Sequence, residues 1–389
     1  MPWKETCAMQ QRQAFIEAWL SREFSKSELC RRFGISRPTG DKWIERFCVE
    51  GSQGLVERSR VPHNRVNQTA TRLVETILST KHRYPSWGAV PIRDKLERDH
   101  PSEPWPVPST IGEILKRHGL VKPRKTRHRI PPHTQPLKHA THPNAVWSAD
   151  FKGDFAMGNA KRCYPLTISD NYSRFLLACQ GQYGLKLRPV QACYEKAFRA
   201  YGLPEVIRTD NGYPFAQVCL GGLSPLSIWL LKLDIVPERI DPGHPEQNPR
   251  HERMHRTLKA ATANPPKGNL SAQQRAFNRF RYEYNEQRSH QGLGRGQRPT
   301  DLYRPSSRAY PQRLPELTYP DHFELRKVKG AGQIKWHGRP IYISRQLIGE
   351  YVGLKPVDHD LWQLYFAKMP LGILDPRLGR IIRPNRSHV

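Results

Sequence analysis

Three acidic residues in the middle of the chain have the types and the local settings to bind a divalent metal ion. Asp150 lies in the stretch VWSADFKG, whose alternation predicts a strand with Ser148, Asp150 and Lys152 on one face. Asp210 follows the short apolar strand predicted at EVIRT, and Glu252 lies in the first turn of a helix predicted at PRHERMHRTLK. Magnesium prefers oxygen ligands, and two ions about 3.5–4 Å apart can activate a water or a 3′-hydroxyl for attack on a phosphodiester. Carboxylates from three separate elements therefore predict a metal-dependent site, provided that the fold brings them together.

Simpler explanations stay open for the polar residues around these acids. The turn at residues 210–212 could be turn chemistry alone, because Asp and Asn cap turns and Gly allows a positive φ. His251 and His255 flank the third acid, but magnesium avoids imidazole and the sequence has no zinc-ligand spacing, so we do not expect them to be ligands. We expect Asp154 and Asp170 to be structural or surface acids.

The chain is strongly basic, and the excess charge is uneven. Its 389 residues carry 63 Lys and Arg against 35 Asp and Glu, a formal net charge of +28. Residues 1–140 hold 26 basic and 14 acidic side chains and residues 265–389 hold 22 and 10, whereas residues 141–264 hold 15 and 11. Such a field favours a polyanion, most commonly nucleic acid. The two basic ends therefore predict DNA contacts on either side of the middle region. The carboxylates of the middle region are then available for another function.

Composition also argues against several classes of protein. The longest apolar run, LSPLSIWLLKL, is too short to span a membrane, and the N-terminus lacks the apolar core of a signal peptide. The seven cysteines are scattered and form no C-x-x-C pair, which predicts reduced thiols and neither disulfides nor zinc ligands. We therefore expect a cytoplasmic protein with no membrane partner.

Residues 1–60 are predicted to form a helix-turn-helix DNA-binding domain. QRQAFIEAWLSREF, KSELCRRFGIS and RPTGDKWIERF have helical periodicity, with Ser36 as a predicted N-cap and Pro38 in the first turn of the third helix. The helix–Gly-Ile-Ser–helix spacing is typical of this motif. A helical bundle that binds no nucleic acid is the alternative. In the first interpretation the third helix offers four side chains to a major groove: Arg37, Thr39, Lys42 and Arg46.

Residues 61–120 are predicted to form a second helical unit that is helix-turn-helix-like and binds DNA. Its third helix is predicted at VPSTIGEILKRHGL, where Ser109 and Thr110 followed by Glu113 suggest a capping box. A basic, Pro-rich linker follows at residues 121–143 and cannot bury a core of its own. A passive tether is one interpretation; the other is that five basic residues track a phosphate backbone: Lys122, Arg124, Lys125, Arg127 and Arg129.

The rest of the chain is predicted to form an α/β domain followed by a small β domain. Two or three strands at AVWSADFKGDFAM and CYPLTISDNYSRFLLACQGQ precede an alternation of helices and strands, a pattern typical of a mixed sheet with flanking helices. A long charged helix, SAQQRAFNRFRYEYNEQRSHQGLG, ends this domain. Short strands in residues 306–389 predict a small DNA-binding β-barrel, with a mobile basic tail at its end.

The motifs in the middle of the chain together resemble the integrase core of DDE transposases. VWSADFKG, TISDNYSRFLLA, RTDNGYPFA and PGHPEQNPRHERMHRTLK contain, in this order, W-x-x-D, T-D-N-G and N-x-x-x-E-x-x-H-x-x-L-K. The resemblance is greatest to insertion-sequence transposases of the IS481 type, relatives of the IS3 group and of retroviral integrases. With the helix-turn-helix and the linker it covers residues 10–300.

This resemblance implies an RNase H-like catalytic core at residues 144–305, in which Asp150, Asp210 and Glu252 are the catalytic and metal-binding trio. It implies two Mg²⁺ ions per active site, with Mn²⁺ as a substitute. It also implies a nucleoid-associated bacterial enzyme that nicks and joins double-stranded DNA, binding element ends and target DNA as a homo-oligomer of at least two chains. Arg256 and Lys259 follow the third acid by four and seven positions and are candidates for phosphate contacts, with an ordinary solvated face as the alternative.

Two departures from the family pattern leave the predicted trio intact. Asn248 is followed by Pro249 where the family commonly has Gly, but proline is tolerated at the start of a helix. The interval of 42 positions from Asp210 to Glu252 is longer than usual, with CLGGLSPLS as the candidate insertion.

Two other functions stay open: a transposase-derived DNA-binding regulator without catalysis, and an RNase H-like nuclease without strand transfer. The intact trio favours an enzyme over a regulator, and the two N-terminal units favour a transposase over a nuclease.

Overall fold

A computed structural model describes residues 7–58, 68–121, 140–217, 219–241, 248–358 and 360–382. The chain divides into two units, Met1–Gln68 and Thr69–Val389. All seven cysteines are free thiols, as their scattered positions indicate. No helix among the described residues has both the length and the apolar character needed to cross a membrane.

The first unit is a three-helix domain. Its helices are Ala8–Leu20 (α1), Lys26–Arg32 (α2) and Arg37–Glu50 (α3), and a 3₁₀ turn follows at Gly51–Leu55. Ser36 caps α3 as predicted, because its hydroxyl accepts a hydrogen bond from the Thr39 backbone N–H. A small apolar core holds the helices together: Phe15, Ile16, Leu29, Cys30, Trp43 and Leu55. α2, the turn at residues 33–36 and α3 have the helix–turn–helix arrangement that the sequence predicts.

Three more helices open the second unit: Thr71–Arg83 (α4), Ala89–Asp99 (α5) and Pro108–Arg117 (α6). The capping box predicted from Ser109 is wrong, since Val107 is the N-cap and no side chain caps the helix. Pro108 explains the difference, because its fixed φ suits the first helical position and starts the helix two residues early. The helices pack through Ile77, Ile92 and Ile111, none of which is exposed.

The domain in the middle of the chain is built on a mixed sheet, as predicted. Its strands are Val146–Phe151 (β1), Phe155–Ala156 (β2), Arg162–Asp170 (β3), Leu176–Gln182 (β4), Val206–Thr209 (β5) and Val236–Arg239 (β6). The order is β4-β3-β1-β5-β6, and β2 pairs with the start of β3. The β1–β3 and β3–β4 pairs are antiparallel, whereas β1–β5 and β5–β6 are parallel.

Helices cover both faces of this sheet. Leu187–Tyr201 (α7) and Pro225–Lys232 (α8) pack on one face, where Trp147 of β1 meets Phe198 and Trp229. Pro249–Thr262 (α9) and Leu270–Tyr282 (α10) pack on the other, where Met254 and Phe277 join the core. A π-turn at Glu283–Gln287 and the short helix Pro299–Leu302 (α11) follow. Three layers in this order form the RNase H-like fold that the sequence predicts.

The C-terminal strands form two sheets, and the predicted barrel is not confirmed. Five antiparallel strands run in the order β13-β12-β11-β10-β7, and β8 and β9 form a separate hairpin. Their bounds are Glu324–Lys327 (β7), Gln333–Trp336 (β8), Arg339–Tyr342 (β9), Tyr351–Asp358 (β10), Leu361–Phe366 (β11), Met369–Asp375 (β12) and Arg380–Ile382 (β13). The last strand lies in the tail that we expected to be mobile. The sheets share an apolar core with Leu223 and with Leu231 of α8.

Candidate active site

Asp150 and Glu252 line one open groove, although they are 102 positions apart in the sequence. Asp150 lies near the carboxyl end of β1, opposite Thr167 of β3 in the sheet register. Glu252 lies in the first turn of α9 and is exposed. The same groove is lined by basic side chains: Lys152, Arg253, Arg256 and Lys259. The groove therefore combines carboxylates, which can hold a cation, with cations that can hold phosphates.

Asp210 lies at the end of β5, the strand that runs parallel to β1. Carboxyl ends of neighbouring parallel strands meet at one edge of a sheet, so Asp210 and Asp150 project from the same edge. Asp210 is not among the residues that line the groove, but its charge acts on Asp150. Burial, and then the charge of Asp210, raises the pKa of Asp150 to about 7, and Glu252 adds a smaller effect. Asp210 and Glu252 are therefore both close enough to Asp150 for their charges to act on it.

The turn after β5 also uses Asp210, so the two explanations of this acid coexist. The Gly212 backbone N–H donates a hydrogen bond of 3.1 Å to Asp210 Oδ1. Gly212 does not adopt the positive φ that the turn interpretation allowed for. A Cβ at this position would lie 3.2 Å from Asp210 Oδ2, so a larger residue would press on the Asp210 carboxylate.

Two buried histidines of α9 lie behind Asp150. His251 Nε2 and His255 Nε2 lie 2.7 and 2.6 Å from Thr167 Oγ1, and His251 Nδ1 lies 2.9 Å from Ser169 Oγ. Burial lowers the pKa of His251 to about 3 and lowers the pKa of His255 further, so both rings are neutral. Three of the four ring nitrogens are thus occupied by hydroxyl groups.

The remaining nitrogen, His255 Nδ1, lies 3.6 Å from Asp150 Oδ2. When Thr167 donates its one proton to the Asp150 backbone carbonyl, His255 takes the tautomer in which Nε2–H donates to Thr167. Nδ1 of the neutral ring is then an acceptor that faces the carboxylate oxygen, a second acceptor. A proton or a cation between these two acceptor atoms would remove the repulsion between them, in keeping with the raised pKa of Asp150.

A polar network that the sequence did not reveal anchors the start of α9. Ser148 Oγ lies 3.1 Å from Asn248 Oδ1 and 3.1 Å from Asn171 Oδ1, and all three side chains are buried. Asn248 is the N-cap residue of α9, and Ser148 is on β1, two residues before Asp150. The network therefore fixes the position of Glu252 relative to Asp150. The only sequence signal was the position of Ser148 on the predicted face of Asp150.

The donor set suits a hard divalent cation. Asp150, Asp210 and Glu252 supply carboxylate oxygens, which magnesium and manganese accept, and a cation would offset the burial and the carboxylate repulsion that raise the pKa of Asp150. Asp150, His251 and His255 also lie close enough to surround an ion, with donor atoms within 4.8 Å of one another. Three of their four ring nitrogens already bond to hydroxyl groups and magnesium avoids imidazole, so the carboxylate set fits better.

The predicted DNA-contacting residues lie in several parts of the structure. On α3, Arg37 and Lys42 are exposed and Thr39 and Arg46 half-buried, and Thr39 Oγ1 also lies 2.9 Å from the capping hydroxyl of Ser36. Arg256 and Lys259 are exposed on α9 at the groove. The linker residues Lys122, Arg124, Lys125, Arg127 and Arg129 are outside the described residues.

Two acids were expected to be structural or surface groups and not ligands. Asp170 is buried and accepts a hydrogen bond from the backbone N–H of Asn144, and Asp154 pairs with Arg162.

Comparison with known proteins gives consistent matches along the chain. Two family models described as integrase core domain match residues 140–245 and 233–296, and a helix-turn-helix domain model matches residues 11–63. An uncharacterized 39.2 kDa protein of insertion element IS476 from Xanthomonas euvesicatoria is 27% identical over 295 residues, covering 75% of this chain and 76% of that protein. An uncharacterized 31.7 kDa protein of insertion element IS407 from Burkholderia multivorans is 28% identical over 185 residues, covering 47% of this chain and 64% of that protein.

Solved structures with partial similarity include two retroviral proteins. The HTLV-2 integrase catalytic core domain in complex with magnesium (trimeric form) has a TM-score of 0.33 and 14% identity, covering 42% of this chain and 99% of that chain. A simian T-cell lymphotropic virus intasome in complex with the PP2A regulatory subunit B56 gamma has a TM-score of 0.38 and 15% identity, covering 76% of this chain and 95% of that chain. The family models and the insertion-element relatives confirm the resemblance drawn from the motifs: the chain contains an integrase core domain and a helix-turn-helix domain, and it is similar to proteins of two insertion elements.

Proposed function

We propose that the protein is a DNA transposase that binds the ends of its element, nicks them to free 3′-hydroxyls and joins these to target DNA. The single observation that carries the proposal is the groove in which Asp150 and Glu252 meet four basic side chains at the edge of an integrase core. Carboxylates that gather in spite of their repulsion are typical of sites for cations in catalysis.

In this proposal Asp150, Asp210 and Glu252 hold two Mg²⁺ ions, or Mn²⁺ as a substitute. When bound, such ions make a coordinated water or 3′-hydroxyl a better nucleophile and stabilise the leaving oxygen. Lys152, Arg256 and Lys259 bind backbone phosphates and hold the scissile phosphodiester beside the carboxylates. Ser148 and the buried histidines hold the carboxylates in place without touching the DNA.

The reaction consists of two displacements at phosphorus. In nicking, a water oxygen attacks the phosphorus, the bond to the 3′-oxygen breaks, and the leaving oxygen takes a proton, leaving a 3′-hydroxyl and a 5′-phosphate. In joining, that 3′-hydroxyl attacks a target phosphodiester and releases a target 3′-hydroxyl. The number of phosphodiester bonds is conserved in joining, so no external energy source is required.

The helix-turn-helix domain supports double-stranded DNA as the partner. We propose that α3 presents Arg37, Thr39, Lys42 and Arg46 to the element end, while the integrase core takes the cleavage site. Joining two ends to one target requires at least two cores, so we further propose a homo-oligomer on DNA. The substrate is chromosomal or plasmid DNA, so we propose that the protein acts in the bacterial cytoplasm at the nucleoid.

The test is the substitution Asp150→Asn. It removes a metal ligand and leaves α3 untouched, so we expect Mg²⁺-dependent nicking and strand transfer to fall more than about a hundredfold, a barrier increase of roughly 2.7 kcal/mol or more. DNA affinity should stay within about twofold of the wild type. Asp154→Asn is the matched control, because Asp154 pairs with Arg162 away from the groove.

Three outcomes would contradict the proposal. Robust cleavage by Asp150→Asn would remove this acid from the mechanism. DNA binding by the wild type without cleavage in Mg²⁺ or Mn²⁺ would support the regulator instead. Cleavage without joining, measured on pre-nicked ends with target DNA present, would support a nuclease.

A further inference from the structure

A second cavity lies beside the catalytic groove, and its charged lining residues are all basic. Arg174 from the β3–β4 turn, Arg250 and Arg253 from the first two turns of α9, and Arg288 from the segment after the π-turn line it, with Tyr284 at the wall. No carboxylate lines this cavity. Four guanidinium groups from three separate parts of the chain therefore converge without an acidic partner.

The charges of this arginine pocket are not neutralised by the rest of the described chain. None of the four arginines forms an ion pair with a carboxylate of a described residue. Arg174 Nη2 donates to the Gly292 carbonyl at 3.2 Å, and Arg250 Nη1 donates to the Asn171 carbonyl, but a carbonyl group carries no net charge. Arg174 Nε is buried and has no hydrogen-bond partner.

This arrangement is costly unless an anion is present. Burial lowers the pKa of Arg174, and the charges of Arg250 and Arg253 lower it further. Burial also lowers the pKa of Arg288. Arg174 and Arg288 are half-buried, whereas Arg250 and Arg253 are exposed, so the pocket has a charged floor and an open mouth. Guanidinium groups form paired hydrogen bonds with phosphate oxygens, which matches both the charge and the unsatisfied donor.

The position of the pocket indicates where the phosphate comes from. Arg253 lines both the arginine pocket and the groove that contains Asp150 and Glu252. Phosphates of one DNA strand recur about every 3.4 Å along the helix axis, so a strand in the groove carries further phosphates toward the pocket. We propose that the arginine pocket is a second phosphate-binding site, which takes a non-scissile backbone phosphate of the DNA strand held in the catalytic groove; this rests on the function proposed above.

Inorganic phosphate tests the pocket without DNA. The full-length protein is melted in phosphate and in chloride of equal ionic strength, together with Arg174→Gln and Arg288→Gln, which lie on different elements. We expect phosphate to raise the Tm of the wild type by about 3 °C or more, and each variant to lose most of that rise. Arg275→Gln is the control, because Arg275 is exposed on α10 and does not line the pocket. Equal rises in all four proteins would overturn the site.

Single neutral linkages test whether the phosphate belongs to DNA. A methylphosphonate is placed at each position near the joining end, and strand transfer is measured in Mg²⁺. At one non-scissile position we expect the neutral linkage to slow the wild type about tenfold but to have no further effect on Arg288→Gln, which is already slow. Arg275→Gln should respond like the wild type.

The two experiments separate the possible sources of the phosphate and the possible failures. A phosphate-dependent Tm rise that the variants lose, combined with no position-specific effect on strand transfer, would overturn the DNA assignment in favour of free phosphate. Absence of strand transfer by the wild type would contradict the proposed function, and the melting experiment would then decide the phosphate site alone.

Discussion

At the residue scale, metal binding at the proposed site depends on the ionisation of Asp150. Its pKa of about 7, raised by burial and then by Asp210, lies well above the usual value near 4. Below pH 7 a cation must displace the proton, so we expect the Kd for Mg²⁺ to fall about fivefold from pH 6 to pH 7, about tenfold from pH 6 to pH 8, and to level off above pH 8. Calorimetric titration at pH 6, 7 and 8 measures this. A Kd that does not change with pH would show that Asp150 is already ionised at pH 6.

The same raised pKa affects the stability of the metal-free protein. A carboxyl whose pKa is higher in the folded state stabilises the fold fully below pH 4, and this contribution is lost as the pH rises through 7. We therefore expect Asp150→Asn to be more stable than the wild type at pH 8 without metal, by on the order of 1 kcal/mol, and to lose this advantage at pH 4. Denaturant titration in EDTA at both pH values checks it. Asp154→Asn should show no such pH-dependent gain.

The third acid of the trio can be tested against its nearest competitor. Glu252 lies on α9, which Met254 and Leu258 pack against the sheet, whereas Glu246 is outside the described residues and between two prolines. Metal ligands need support from a rigid element, so we expect Glu252→Gln to eliminate strand transfer and Glu246→Gln to keep at least about a tenth of it, a barrier change of roughly 1.4 kcal/mol or less. Both variants are assayed on pre-nicked ends in Mg²⁺. The reverse pattern would assign the role to Glu246.

At the scale of elements, the buried hydroxyl of Ser148 holds β1 and the start of α9 together. Ser148→Ala leaves the Asn171 and Asn248 side chains without this partner, so we expect a loss of about 1–3 kcal/mol in the free energy of unfolding. The rate of strand transfer should fall by more than the loss of folded protein accounts for, because Glu252 lies four residues after Asn248. Ser109→Ala is the control, since Ser109 is exposed and does not cap α6. Strand transfer at the wild-type rate in a folded Ser148→Ala protein would show that the network does not position Glu252.

Local patterns predicted most elements of the catalytic domain, but not how they come together. Alternation of Trp147, Ala149 and Phe151 with Ser148 and Asp150 identified β1, although the structure buries both Ala149 and Ser148. Helical spacing identified α7 and α9, because these helices bury one regular face. The bonds from Ser148 to Asn248 and from Thr167 to His255 could not be predicted, since they join residues far apart in the sequence.

The missed strands of the C-terminal region share a local cause. β10 contains Gly353 and β12 contains Gly372, and glycine weakens the pattern of a strand. Gly353 is required by packing, because a Cβ there would lie 2.6 Å from the ring of Tyr319, which precedes β7 in the sequence. Contacts of this kind depend on the folded structure, so the sequence indicated a small β domain but not its strand order.

At the scale of the whole molecule, the two predicted N-terminal domains fall in different structural units. α5 bonds to the catalytic domain, since Lys95 Nζ lies 3.0 Å from Gln287 Oε1 and Arg98 donates to the Gln287 carbonyl at 2.8 Å. Asp94 also accepts a hydrogen bond from Ser289. α4–α6 therefore belong to the same unit as the catalytic core, whereas the helix-turn-helix forms a unit with its own hydrophobic core. The domain boundaries at residues 60 and 120 stay predictions.

This division predicts that residues 1–68 fold and bind DNA without the rest of the chain. The fragment keeps its buried Phe15 and Leu29 and the helix cap at Ser36, so we expect one cooperative thermal transition. Its affinity for element-end DNA should fall steeply with salt, because basic side chains on α3 displace counterions. Each of Arg37→Ala and Lys42→Ala should weaken binding about tenfold and reduce the salt slope by about one if it removes a phosphate contact.

Lys26→Ala is the matched control for this fragment, because Lys26 is exposed on α2 and pairs with Asp41. A change at this position removes one positive charge from the domain, as Lys42→Ala does, and replaces none of the four α3 side chains that are expected to enter the groove. Fluorescence anisotropy at several salt concentrations, with specific and unrelated duplexes, distinguishes binding through net charge from recognition of the element-end sequence. If Lys26→Ala weakens binding as much as Lys42→Ala, the fragment binds through its net charge alone, and recognition of the element end must lie beyond residue 68, in α4–α6, the linker or the C-terminal sheets.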